Sequence, residues 1–192
     1  MTVSYKTMGM LVLPAMLLAA STSLRGQGAS EGFTATAAVK AAGGASASAP
    51  VTITIDRKMS PREAETLTAA FKSGGAAALR KALVGVKPTG SVKVGAGKAT
   101  PTRFTIERAS GKGRLLTILT DQPLLFLGAG VPGAKPKEGY DFAVIDVEVD
   151  ASGNGAGTIA PAAKLKMNQD AFVVEDYGGN ELVRLTAVKK TK

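Results

Sequence analysis

Apolar and polar residues alternate along several segments of this chain, and that period of two restricts its fold more than any other feature. In the segment "VTITIDR", Val51, Ile53 and Ile55 fall on one face and the threonines on the other. The inward positions predicted for the segment "DFAVIDVEVD" are Ala143, Ile145, Val147 and Val149. Because successive side chains of a strand point to opposite faces, these patterns predict half-buried β-strands.

The alternating segments recur along most of the chain and are separated by short turns rich in glycine. We count about nine to ten strands by this criterion. Strands joined by short connections pair antiparallel, and the connections after Gly90 are short. The predicted fold class is therefore α+β: a mainly antiparallel curved β-sheet or sandwich, with one helical hairpin inserted after the second strand.

The hairpin is predicted from capping and breaking residues. In "SPREAETLTAAF", Ser60 can cap a helix and Glu63 completes a capping box. The glycines at positions 74 and 75 should stop that helix, and a second short helix should run from about Ala76 to Val84.

The first residues resemble a secretory signal peptide. Lys6 precedes an uncharged run from Met8 to Ala20, and small residues follow. The run is shorter than the about 20 residues that a spanning helix needs. We expect residues 1–30 to be a signal peptide cleaved between about positions 21 and 30, and residues 31–192 to be a single domain. The expected location is extracytoplasmic, periplasmic or secreted, without a transmembrane anchor after cleavage.

The residue types that are missing exclude much chemistry. The chain has no His and no Cys, so Ser-His-Asp and Cys-His arrangements and zinc bound by His are excluded. The S-x-x-K spacing of serine-lysine enzymes is also absent. The sequence therefore predicts no catalytic, cofactor-binding or metal-ligating residue, and no cofactor.

Besides a Ser-Lys pair brought together from distant parts of the sequence, carboxylates are the remaining route to catalysis. The acids considered are Asp146, Glu148, Asp150, Glu175 and Asp176. Paired in one cleft they could serve a hydrolase. The first three recur at every second position of one strand, which spreads them over about 13 Å and prevents all three from binding one calcium ion. The preferred interpretation is a solvated strand face, with Asp146 opposite Lys164 on the next strand.

Three glycine-rich stretches resemble phosphate-binding loops only in part. Gly128, Gly130 and Gly133 fit G-x-G-x-x-G, but a dinucleotide site needs a helix after these glycines. The residues that follow include two prolines and cannot form it. "VGAGKAT" and "SGKG" lack the complete P-loop pattern. We interpret all three as loops, the first of them a position where a partner could make contact.

Aromatic residues are few. The phenylalanines at 33, 71, 104, 126, 142 and 172 fall mostly on apolar faces and are expected in the core. Only Tyr140 and Tyr177, both near turns, could stack on a base, so no specific nucleic-acid partner is expected.

Four segments carry a family resemblance: "TITIDR", "TDQPLLF", "YDFAVIDVEVDASGNGAG" and "DYGGNELVRLTAV", which together span Val51 to Val188. They resemble an uncharacterised family of exported bacterial proteins. The resemblance implies an extracytoplasmic single domain and supplies no activity and no site residue.

Three functions remain. The leading hypothesis is a non-enzymatic exported domain that binds a small apolar ligand or an envelope component, or has a structural role. The second is a secreted hydrolase using carboxylates. The third is electrostatic binding to an anionic surface or polymer, because the chain has 24 basic and 15 acidic residues. That third function requires basic residues to gather on one face of the fold.

Overall fold

The computed structural model describes residues 30–40, 46–124, 138–168, 171–176 and 182–191. These ranges form a single α+β domain of nine strands and one helical element. The strands are β1 (Glu31–Lys40), β2 (Ser46–Ile55), β3 (Gly90–Val94), β4 (Thr100–Ser110), β5 (Gly113–Thr120), β6 (Phe142–Val149), β7 (Asn154–Asn168), β8 (Ala171–Asp176) and β9 (Val183–Lys190), and the helical element is α1 (Pro61–Val84). The predicted class and mainly antiparallel pairing are confirmed.

Eight strands close into a barrel, in the order β1–β2–β3–β4–β5–β6–β7–β9. Closure depends on two pairings: β9 pairs with β1, and β7 pairs with both β6 and β9. The sheet is closed, so it is neither the open curved sheet nor the sandwich that the sequence predicted. A closed barrel gives each of its eight strands two neighbours, so the backbone groups of an open edge find partners.

The barrel interior is filled by apolar side chains from the alternating positions of the strands. The inward residues predicted for β6, namely Ala143, Ile145, Val147 and Val149, are at most 1 % exposed, which confirms that assignment. Phe33, Ile53, Leu116, Ile118 and Leu185 fill the same cluster from other strands. A cavity that admits water would leave part of these surfaces accessible. The described interior is therefore a packed core.

A second apolar cluster covers the outside of the barrel on one side. Leu67, Leu79 and Leu83 of α1 pack there against Phe104 of β4 and Phe142 of β6. β5 and β6 are thus buried on both faces, and this position explains why the sequence "RLLTILT" of β5 is apolar on both faces. α1 therefore covers the outer surface of the sheet over β4 to β7.

The helical element begins and breaks where the sequence predicted. Ser60 accepts a hydrogen bond from the backbone N–H of Glu63, whose side chain accepts one from the Ser60 backbone N–H. Gly74 and Gly75 have non-helical backbone angles and interrupt α1, so the break lies where the sequence predicted it. The second segment continues to Val84 over the same apolar cluster, so α1 consists of two helical segments that meet at the glycines.

β8 lies outside the barrel and pairs with the end of β7. Its Phe172 ring packs edge to face on Phe71 and on Phe104, with ring centroids 5.5 Å apart in both pairs. The extra strand therefore extends the cluster beneath α1. Of the phenylalanines expected in the core, Phe126 is outside the described residues, and so are the glycines at 128, 130 and 133.

Candidate functional site

The barrel has one broad uncovered side, formed by β3, β2, β1 and β9. Their outward positions carry small hydroxyl side chains because the apolar half of each alternating pattern points inward. Thr34 of β1 lies opposite Thr52 of β2, and Thr36 lies opposite Thr186 of β9. We call this surface the hydroxyl face; it consists of Thr34, Thr36, Ser48, Thr52, Thr54, Ser91, Lys93, Arg184, Thr186 and Lys189.

Three cations lie on the hydroxyl face and form no ion pair with a described acid. Lys93 lies opposite Thr52, and Lys189 lies opposite Thr34, so these two lysines are three strand spacings apart, about 14 Å. Arg184 lies opposite Ala38, four residues along β1 from Thr34, or about 13 Å. None of the described outward positions of these four strands carries an acid. The charged residues of these strand positions are therefore all cations, and the exposed Asp56 follows the end of β2.

A groove of about 540 Å³ lies at one end of this side of the barrel. We call it the rim groove; its lining residues are Ala38, Val39, Ser46, Ala47, Ser48, Leu182 and Arg184. They come from the end of β1, the start of β2 and the start of β9, so the groove lies at the end of the barrel where these strands meet. Arg184 and Ser48 belong to both the groove and the hydroxyl face.

The opposite end of the barrel carries a cluster of ionised side chains. Arg114 donates to both carboxylate oxygens of Glu31, at 2.5 and 3.1 Å, and also to Glu107 at 2.8 Å. Lys58 bridges the same two acids, at 3.1 Å from Glu31 and 2.5 Å from Glu107. Lys190 approaches Glu31 at 3.5 Å. We call these five residues the end cluster.

The end cluster keeps its acids ionised. The hydrogen bond from Arg114 is the main reason that the pKa of Glu31 falls to about 2, with Lys58 adding to the effect. Burial alone would raise the pKa of Glu107, but hydrogen bonds from Lys58 and Arg114 lower it overall. A general acid needs a raised pKa, so these carboxylates are suited to holding strands together and not to donating protons.

The acids that were considered for catalysis are separated and engaged locally. Asp146 accepts a hydrogen bond from Thr117 at 2.7 Å, and Glu148 lies 3.8 Å from Lys112. Glu175 lies 3.2 Å from Lys164, and Asp176 accepts a hydrogen bond from Tyr140. Asp150 accepts from the backbone N–H groups of residues 152 and 154 and so caps the β6–β7 turn.

One predicted contact of this group is wrong. Asp146 was expected opposite Lys164, but the β6–β7 register places Thr158 there. Lys164 instead lies opposite Asp176 of β8. The error arises because β7 continues beyond its pairing with β6. The residues of β7 from Lys164 onward pair with β8 instead.

Tyr140 is not a stacking platform. It is 7 % exposed, and its hydroxyl donates to Asp176, a bond that raises the pKa of the phenol. Tyr177 lies outside the described residues. In the described part of the chain, "VGAGKAT" and "SGKG" form the β3–β4 and β4–β5 turns, as their interpretation as loops predicted.

Sequence reasoning did not identify the hydroxyl face. One signal was present, since "TAT" in β1 and "TIT" in β2 put threonines at matching alternate positions. The addition of β9 had no comparable signal, because Thr36 and Thr186 are 150 residues apart. The barrel closure that joins them creates the face.

The described residues include no group of three or more acids that could hold a metal ion. No helix in the described ranges has the length and apolar character needed to cross a membrane. The chain matches no known protein family model, no curated protein and no solved structure.

Proposed function

We propose that this chain is an exported, non-enzymatic domain that binds an acidic polysaccharide of the cell envelope through its hydroxyl face. The observation that carries the proposal is the gathering of Lys93, Arg184 and Lys189 on one uncovered, acid-free face. Export rests on the signal-like sequence of residues 1–30 and on the family resemblance. Of the three functions that the sequence left open, electrostatic binding to an anionic surface or polymer is the one that requires basic residues on one face.

The proposal of binding over catalysis rests on the state of the carboxylates. The cationic partners of Glu31 and Glu107 lower the pKa of both side chains. Asp146, Glu175 and Asp176 each have a hydrogen-bonding or ionic partner of their own. A glycosidase requires one carboxyl group with a raised pKa beside a second, ionised one. The pKa values of Glu31 and Glu107 are lowered, the opposite of what a general acid requires, which counts against the hydrolase hypothesis.

The choice of the outer surface over the interior rests on packing. A barrel of eight strands is just wide enough either to be filled by side chains or to hold one small ligand. Here Phe33, Leu116, Ile118 and Ile145 are at most 1 % exposed inside it. An apolar ligand in the described interior would have to displace such side chains, so the accessible surfaces are the better binding sites.

The chemistry of the face favours a hydroxylated anion. Thr34, Thr36 and Thr52 are exposed, and none of their hydroxyl groups bonds to another described residue, so each can bond to a sugar hydroxyl. Lys189 lies about 13 to 14 Å from each of the other two cations, a spacing that suits a polymer whose charges recur at intervals, whereas membrane binding uses clusters of basic residues. The described face has no aromatic residue on which nucleic-acid bases could stack.

The test is binding of the mature chain to heparin and to polygalacturonate at several salt concentrations. The variant Lys93→Gln/Arg184→Gln/Lys189→Gln should bind about tenfold more weakly, since each exposed ion pair contributes about 0.2–1 kcal/mol. The matched control is Arg62→Gln/Lys81→Gln/Lys166→Gln, which removes the same charge from exposed sites on other surfaces.

Two results would overturn the proposal. One is an equal loss of affinity in both triple variants, which would mean that net charge alone drives binding. The other is a preference for anionic phospholipid vesicles over both polysaccharides. Equal binding at low and high salt would contradict the ionic contribution as well.

A further inference from the structure

The rim groove has the size and depth of a small-molecule site. Its volume of about 540 Å³ lies within the roughly 300–1,000 Å³ typical of ligand pockets. β2, β1 and β9 are neighbours in the barrel, so the residues that line the groove come from one continuous part of the sheet.

One wall of the groove is cationic. Arg184 is exposed and has no ionic partner among the described acids. A guanidinium group presents parallel N–H donors that match the two oxygens of a carboxylate. Ser46 and Ser48 line the same groove and place hydroxyl donors beside that charge.

The rest of the groove is apolar. Leu182 is 36 % exposed, and it is one of two large hydrophobic residues exposed in the described parts of the chain. Val39 and Ala47 line the groove with it. An exposed leucine beside an arginine that has no described acidic partner places apolar surface and positive charge within one groove.

We propose that the rim groove binds an aliphatic carboxylate, with its carboxyl group on Arg184 and its hydrocarbon chain along Leu182 and Val39. The pairing of one cation with one apolar wall selects an amphiphile over a purely charged or a purely apolar molecule. This site is additional to the polysaccharide surface, although the two share Arg184 and Ser48. Substitutions at the residues that they do not share test the two ligand classes separately.

The experiment is a titration of the mature chain with octanoate, followed by NMR of isotope-labelled methyl groups. Octanoate should shift the methyl signals of Leu182 and Val39. Octanol has the same chain without the charge, and acetate has the charge without the chain. Both should bind at least about tenfold more weakly than octanoate, because each lacks one of the two contacts.

Two variants separate this proposal from the proposed function. Ala47→Phe should fill the groove and abolish octanoate binding while leaving heparin binding intact. Lys93→Gln/Lys189→Gln should weaken heparin binding and leave octanoate binding unchanged. Arg184→Lys keeps the charge but removes the two-pronged donor, so it should weaken octanoate binding without unfolding the barrel.

Three outcomes would overturn the inference: octanol that binds as tightly as octanoate, methyl shifts confined to other parts of the barrel, or unchanged octanoate binding in folded Ala47→Phe. A parent chain that binds octanoate but not heparin would instead overturn only the proposed function. The NMR spectrum of each variant reports whether it is folded.

Discussion

Arg114 holds both carboxylate oxygens of Glu31 across 83 residues of sequence, with contacts of 2.5 and 3.1 Å. Arg114 belongs to β5 and Glu31 begins β1, so the pair spans the end of the barrel. The guanidinium carbon also lies 5.9 Å from the centre of the Phe33 ring, within the range of a cation–π contact. The ion pair therefore covers the apolar interior at the end of the barrel where β1 begins.

Removal of the Arg114 charge should destabilise the barrel. Arg114→Gln leaves Glu31, which is 12 % exposed, without its bidentate partner. Loss of one partner of a half-buried pair should lower the free energy of unfolding by about 2 kcal/mol, less than the penalty for a fully buried pair. Urea denaturation measures this change. Lys112→Gln is the matched control, since Lys112 is 82 % exposed and its variant should be neutral.

Stability should fall in acid because of the same pair. The pKa of Glu31 is about 2 in the folded chain and 4.5 in its reference state. A lowered folded pKa stabilises the native state above the unfolded value, and this contribution is lost as pH falls from about 5 to 2. With allowance for partial solvent screening it amounts to about 2 kcal/mol. Denaturation midpoints of Glu31→Gln should vary less over this range than those of the parent chain.

The pairing of β6 with β7 requires a glycine at position 155. A Cβ on Gly155 would lie 1.9 Å from the backbone oxygen of Glu148, and the backbone cannot give way without loss of the ladder. Gly155→Ala should therefore cost roughly 2–4 kcal/mol in thermal or urea unfolding. Gly111→Ala is the control, because a Cβ there meets nothing within 4 Å. A neutral Gly155→Ala would mean that the two strands are farther apart than described.

The local features of this fold were predictable and its closure was not. The capping residues Ser60 and Glu63 and the alternation of β6 act over a few positions, so the sequence displays them directly. Closure depends on β1 finding β9 at the other end of the domain. No short-range pattern specifies that pairing, and without it the same strands also fit a curved sheet or a sandwich.

The candidate sites follow the same division. The inward and outward assignment of Thr34 and Thr52 was available from alternation, but their neighbours were not. Lys189 reaches Thr34 only through a register shift in the β1–β9 pair. Asp146 and Lys164 were wrongly paired because the length of β7 and the irregularity in its register with β6 are set by tertiary contacts.

The register shift between β1 and β9 predicts a stabilising substitution. Ala187 has a φ of 51°, and it lies between Thr186 and Lys189, which pair with Thr36 and Thr34. A left-handed conformation costs an L-residue about 1–2 kcal/mol, and glycine avoids this at a smaller entropic cost. Ala187→Gly should raise the free energy of unfolding by about 0.5–1 kcal/mol in urea. Ala109→Gly, in a regular part of β4, should lower it instead.

The hydroxyl groups of the uncovered face should contribute to polysaccharide binding separately from its charges. Thr34→Val/Thr52→Val keeps β-branched side chains at two exposed, paired strand positions, so the barrel should retain its stability. It removes two hydrogen-bonding groups, each worth about 0.5–1.5 kcal/mol, and heparin binding should weaken by at least about fivefold. The salt dependence should stay parallel to that of the parent chain, because no ion pair is lost, whereas Lys93→Gln/Lys189→Gln should make it shallower. Unchanged affinity in the valine variant would show that the cations bind the polymer without help from the threonines.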